Sequence, residues 1–355
     1  MSRYTSLLPL SYMVPTFYPT SPGIVQPMSG APRITLADGD LQARAQRLVN
    51  VLYWTAEKYQ NQDGMQDPGT LKVFIAPEFY FRKASPEEVG ASAFEPATSF
   101  GSYPESARQD LAQELDRVIS GTSLFKDWTI VAGTICSALP DQHVTGRPNL
   151  LNTAIMLRGL RDPIDDSARY VLMEKHYISR IDGPPKQWHA NRDPTTVYSY
   201  NLNPDQFLDN LVYWDGMSVG LEVCLDHDEQ VLRNALARLR RALGGPASRL
   251  DLQLVTSCGM SITNPAAAVK PGGLVMLTDG MSDMPGLPEP DFQLGRFDAG
   301  KGKVRLVDDS QFDFAALPVD PSYQVLDYAG GLYTGEGRHQ GVWAGQSRFA
   351  LSSPP

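Results

Sequence analysis

Apolar residues recur along the chain in two periods. Leu41, Ala45, Leu48 and Leu52 fall at i, i+4, i+7 and i+11, one stripe of a helix capped by Asp38 or Asp40. Leu111, Leu115, Val118 and Ile119 mark a second helix. Leu232, Leu236, Leu239 and Leu243 mark a third, ended by Gly244-Gly245. Between them stand short apolar runs of strand length: Leu10–Val14, Leu71–Ala76 closed by Pro77, Trp128–Ile135, Thr153–Leu157, Tyr170–Glu174, Leu252–Thr256 and Leu274–Thr278. Leu211–Trp214 and Met217–Val223 flank Asp215-Gly216, a hairpin signal. Strands alternating with few helices predict an α/β protein of sheets covered by helices, not a barrel. Residues 82–104 and 179–206, broken by prolines and glycines, read as long functional loops.

No shift in composition marks a boundary, so the expectation is a single domain over 1–355. Its core spans about 36–280, with an N-terminal wrap over 1–35 and a C-terminal arm over 281–355. Charge changes the picture in one respect. Lys plus Arg number 31 against 40 for Asp plus Glu, a net −9, and such a surface disfavours nucleic acid as a partner. No apolar run is long enough to span a membrane, and the proline-broken N-terminus lacks the pattern of an export signal. Three cysteines, Cys136, Cys224 and Cys258, make no disulfide framework, and a reducing, cytoplasmic location is expected.

Three polar residues stand where predicted strands end: Glu78, Lys175 and Cys224. Each alone has an ordinary reading, as a cap, a solvated charge or a packed thiol. Together they compose a mechanism. A carboxylate takes the thiol proton and later protonates a leaving amine, while an ammonium steadies the thiolate and a developing oxyanion. The Leu225 N–H, directly after the thiol, is the second oxyanion donor. The next helix is expected only near Glu229. A cysteine–histidine protease is the competing reading, but no histidine stands at a strand end.

The segments Pro77-Glu78-Phe79, Glu174-Lys175-His176 and Val223-Cys224-Leu225-Asp226, in that order, resemble the nitrilase superfamily of carbon–nitrogen hydrolases. Val131–Ile135, Asn152-Thr153-Ala154 and Asp251–Val255 resemble its connecting strands, and the likeness covers roughly 40–280. It implies an α-β-β-α sandwich pairing into homodimers or higher homo-oligomers, with no metal or organic cofactor. It also implies Cys224 as nucleophile, Glu78 as general base and acid, and Lys175 as stabiliser of the tetrahedral intermediate. The chain departs from that pattern in three places. No Glu follows Lys175 before Glu222, leaving Asp182 or Asp193 as substitutes for a second acid; His176 follows Lys175 directly; and the two long loops look inserted. Cys224-Leu225-Asp226 is closer to the amidase and carbamoylase branches than to true nitrilases, so a small amide or N-carbamoyl substrate is expected. Nitrile hydrolysis, acyl transfer and an inactive binding protein are the alternatives. Tyr80, Asp182, His189 and Asp226 are candidates for the substrate pocket.

Overall fold

The computed structural model describes residues 2–16, 23–83, 102–140, 148–162, 168–179, 181–182, 199–200, 207–243, 249–281, 292–324 and 340–352. In chain order the elements are β1 (Ser6–Met13), α1 (Gly39–Lys58), β2 (Thr70–Ile75), β3 (Tyr103–Pro104), α2 (Ala107–Ser120), β4 (Trp128–Pro140), β5 (Pro148–Arg158), β6 (Tyr170–Glu174) and β7 (Ser199–Tyr200). There follow β8 (Leu211–Trp214), β9 (Met217–Val223), α3 (Leu225–Asp228), α4 (Val231–Leu243), β10 (Leu250–Ser257), β11 (Val269–Asp279), β12 (Phe292–Asp298), β13 (Lys303–Leu306), β14 (Phe312–Ala316), β15 (Gly341–Gly345) and β16 (Phe349–Ala350).

The strands form two sheets. One runs β14-β15-β1-β2-β4-β5-β6, and the other β13-β12-β11-β10-β9-β8. Side-chain alternation explains why four layers result. Leu8, Leu10 and Phe74 on one face of the first sheet join Leu41, Leu48, Leu111 and Leu115 of α1 and α2. Leu7, Leu71, Val73 and Ile75 on the other face pack against Val219, Leu221, Leu252, Leu254 and Met276 of the second sheet. The outer face of that sheet, with Val255, Val275 and Leu277, is covered by Leu232 and Leu236 of α4. The order is therefore α-β-β-α. Burying one such leucine contributes about 1.5–3 kcal/mol, so the middle and outer cores are the main force holding the layers together.

Local signals are met where the chemistry is local. Asp38 caps α1 by accepting the Leu41 N–H at 3.0 Å, while Asp40 pairs with Arg44 at 2.7 Å. Asp215 and Gly216 both adopt positive φ, 54° and 72°, the type I′ geometry that matches strand twist. Tertiary context overrides the expectation elsewhere. The N-terminal stretch contributes a strand inside the first sheet, β1 lying parallel to β2 and antiparallel to β15. The residues after 281 are not an appended arm, since β12 and β13 extend the second sheet and β14 and β15 the first. Tyr103–Pro104, expected within a loop, pairs with β4. The stripe on α4 stops halfway. Leu232 and Leu236 are buried, but Leu243 is 74% exposed. No described helix is long and apolar enough to cross a membrane.

Candidate active site

Glu78, Lys175 and Cys224 follow the C-terminal ends of β2, β6 and β9, and the two sheets bring those ends together. The chain leaves β2 through Pro77, and Phe79 takes a φ of 63° with its N–H donating to Thr134 Oγ1 at 2.8 Å. This turn is possible because Gly133 sits beneath it. A Cβ at Gly133 would stand 2.4 Å from the Pro77 carbonyl oxygen, and its φ of +82° also calls for glycine. Across the sheets, Thr256 of β10 latches both partners: its hydroxyl donates to the Ala76 carbonyl at 2.9 Å, and its carbonyl accepts the Cys224 N–H at 2.9 Å.

The Lys175 ammonium donates to Glu78 Oε1 at 2.9 Å, to both oxygens of Asp182 at 3.0 and 2.9 Å, and to Ser179 Oγ at 3.2 Å. Three acceptor groups thus match its three N–H donors. Asn152, on β5, donates through Nδ2 to Glu78 Oε1 at 2.8 Å and to Asp182 Oδ1 at 3.1 Å. Ser179 donates its backbone N–H and its hydroxyl to Asp182 Oδ2 at 2.5 and 2.8 Å, which fixes that carboxylate. Arg82 lies 4.0 Å over the Phe79 ring and donates to the Ile181 carbonyl at 2.6 Å, joining the glutamate turn to the Asp182 turn.

The electrostatics follow from enclosing two carboxylates and one ammonium. Burial pushes the Glu78 carboxyl up to about 7, helped by the Asp182 charge and opposed by Lys175. Burial on its own lowers an ammonium, but Asp182 and Glu78 outweigh it and hold Lys175 well above the usual lysine range. Burial, reinforced by the Glu78 carboxylate, pushes the Cys224 thiol well above its ordinary value, against the pull of Lys175. Asn152 Oδ1 is buried in this enclosure without a hydrogen-bonding partner, and the Glu78 carboxyl has the Cys224 thiol as a further partner, which lowers its pKa. Cys224 itself has φ 50° and ψ −112°, a strained backbone for a residue with a Cβ. Helix α3 begins at Leu225 and not near Glu229 as expected. The Leu225 N–H heads that turn, where helix geometry supplies no internal acceptor.

Around the nucleophile turn, polar residues in apolar runs find specific partners. Asp226 is fully buried, and its carboxylate accepts the backbone N–H groups of His176 and Tyr177 at 2.8–3.0 Å. It ties the lysine segment to the nucleophile turn, so it is a positioning group and not the pocket residue expected. His227 donates Nδ1–H to Glu222 Oε2 at 2.6 Å and accepts the Thr263 N–H on Nε2 at 3.1 Å, both of its nitrogens used. Tyr80 also departs from expectation. It packs in the helix-facing core against Tyr12, and its hydroxyl donates to the Arg44 carbonyl at 3.5 Å, the chain having turned at Phe79, whose φ is 63°. Among the described residues, Asp182 is the pocket candidate found at the triad. His189 and Asp193, with 84–101 and 183–198, lie outside the described residues. Cys136 and Cys258 pack with Phe79 and Met281.

Asn152 and Ser179 were not marked as site residues from sequence. Asn152 carried a signal nonetheless: an amide within the apolar run Leu150–Leu157 must find partners if that strand is buried.

No protein-family model matches the chain, and no curated protein matches it. Among solved structures the chain is similar to Nit3 of Saccharomyces cerevisiae, a member of branch 10 of the nitrilase superfamily. The identity is 11% and the TM-score 0.42, covering 98% of this chain and 91% of that one. It is also similar to a CN-hydrolase superfamily protein of Xanthomonas campestris that carries an arsenic adduct in its active site. There the identity is 13% and the TM-score 0.40, again over 98% and 91% of the two chains.

Proposed function

We propose that the protein hydrolyses a non-peptide carbon–nitrogen bond of a small amide or N-carbamoyl compound through a thioester on Cys224. The observation that carries this reading is a buried carboxyl held near neutrality, Glu78, which meets both the Lys175 ammonium and the strained Cys224 thiol. As the Cys224 sulfur bonds to the carbonyl carbon, its proton passes to Glu78, and a pKa near 7 suits that exchange at neutral pH. The carbonyl oxygen becomes an oxyanion facing the Leu225 N–H and the positive field of Lys175. A direct bond from Lys175 requires it to release its longest contact, the one to Ser179 at 3.2 Å.

Glu78 then returns the proton to nitrogen, the C–N bond breaks, and ammonia or an amine departs. Water, deprotonated by the same carboxylate, attacks the thioester; the C–S bond breaks, releasing the acid and restoring the thiol. Asn152 Oδ1 favours an amide over a nitrile. It is a buried acceptor that lacks a donor, and an amide nitrogen brings N–H groups where a nitrile brings none. Asp182 supplies the second negative charge on Lys175.

The test is ammonia or amine release across a panel of amides, N-carbamoyl amino acids and nitriles. Turnover by the natural chain and none by Cys224→Ala or Cys224→Ser is expected. Equal turnover by both variants would sink the assignment, and a preference for nitriles would reverse the argument from Asn152.

A further inference from the structure

A second concave site lies on the outer side of the second sheet. A cleft of about 480 Å³ opens between α4, the start of β10 and β12. Arg233, Arg240, Arg241 and Arg249 line it, with Leu236 and Phe297 among its apolar groups, and none of its lining residues carries a carboxylate. None of them belongs to the Glu78–Lys175–Cys224 site.

Its charge is concentrated against the trend of the molecule. The whole chain is −9, yet α4 contains no acidic residue, and neither does the 244–248 segment that follows it. Among the described residues, Arg240, Arg241 and Arg249 have no carboxylate partner. Two of the four guanidiniums are held in place. Arg233 donates to the Pro265 carbonyl at 2.5 Å, and Arg249 stacks 5.8 Å from the centre of the Phe297 ring. Cations crowded around one cleft raise the local potential, and a bound anion relieves it. Guanidinium forks match phosphate oxygens in pairs, which a ring of lysines does not.

The cleft also limits the size and shape of what enters. Its volume falls within the roughly 300–1,000 Å³ of small-molecule sites. The net charge of −9 on the whole chain disfavours a long polyanion, so nucleic acid is the poorer occupant. The apolar wall beside the arginines suits a flat organic group attached to the phosphate. We propose that this arginine cleft binds a phosphorylated small molecule of the nucleoside-phosphate class. Binding here is independent of the reaction assigned to Cys224.

Calorimetric titration of the full chain tests it, with ADP, GDP, adenosine and inorganic phosphate as probes. One-to-one saturation by ADP or GDP is expected, at least about tenfold tighter than by phosphate or adenosine and weakened by added salt. The double variant Arg240→Gln/Arg241→Gln should weaken it by at least about tenfold, and Arg249→Gln, on the opposite wall, does the same if the pair fails to fold. Cys224→Ala should bind as the natural chain does. The proposal is overturned if neither nucleotide saturates the protein at about 1 mM. It is also overturned if phosphate binds as tightly as the nucleotides, if the arginine variants bind unchanged, or if Cys224→Ala abolishes binding.

Discussion

Replacing Glu78 by glutamine keeps the volume and the acceptor facing Lys175 but removes the base. The consequence can be read without knowing the substrate, from the rate at which iodoacetamide alkylates Cys224. Burial and the Glu78 charge hold the thiol above its ordinary value, which works against thiolate at pH 7.5. The natural protein escapes this limit because the Glu78 carboxylate accepts the proton as the new bond to sulfur forms. General-base assistance of this kind is worth about 10²–10⁴-fold. Losing the Glu78 charge also lifts one of the causes holding the thiol up, but burial is the larger cause and remains. Alkylation in Glu78→Gln should therefore fall by about 10²-fold at pH 7.5. The pH dependence is the sharper readout. In the natural chain the rate should rise through about 7 and level off as Glu78 ionises; in the variant it should keep climbing past pH 9. Timed labelling followed by peptide mass spectrometry resolves each cysteine, with Cys136, pushed by burial to about 12, as the unreactive internal control. Unchanged Cys224 labelling in Glu78→Gln, or a natural-chain profile with no inflection near 7, would refute the reasoning.

Asp182→Asn removes a charge that helps raise the Glu78 carboxyl, so the inflection in the same alkylation profile should move to lower pH; a move upward contradicts the assigned electrostatics. The folded-state Glu78 carboxyl lies above its ordinary 4.5, so the folded protein holds the extra proton and stability is lost as pH rises from about 4.5 to about 7. Glu78→Gln escapes that loss, and should be more stable than the natural chain at pH 8.5 by on the order of 3 kcal/mol, with little difference at pH 4, as urea unfolding would measure. Gly133→Ala places a methyl 2.4 Å from the Pro77 carbonyl at a φ of +82°. It should cost several kcal/mol, on the order expected for a backbone clash added to strain, and lower the melting temperature more than Gly121→Ala. Asp226→Ala leaves the His176 and Tyr177 N–H groups without their acceptor. A loss of about 2–5 kcal/mol in urea unfolding is expected, and a loss under 1 kcal/mol would remove the positioning role.

What the sequence determines by itself is what depends on neighbouring residues. The Asp215-Gly216 hairpin was legible because two consecutive positive φ angles suit that pair of residues and little else. Tyr170–Glu174, Leu211–Trp214 and Met217–Val223 were legible because apolar runs of strand length were closed by polar or turn residues. The same marking singled out Glu78, Lys175 and Cys224 as polar residues at strand ends.

Partners separated by long stretches of chain were decided by tertiary structure alone. Periodicity reports that a face is buried but not what covers it, so nothing local put β1 between β2 and β15 or sent β12–β15 to the edges of both sheets. The same holds inside the site. Tyr80 and Asp226 sit within two residues of Glu78 and Cys224, yet one faces the helices and the other holds two backbone amides. Asn152, placed in an unremarkable strand, reaches both carboxylates. Direction relative to a sheet, and the donor waiting on the next strand, are properties of packed layers. A one-dimensional pattern carries the demand that a buried polar group be satisfied, and only the assembled sheets supply the group that satisfies it.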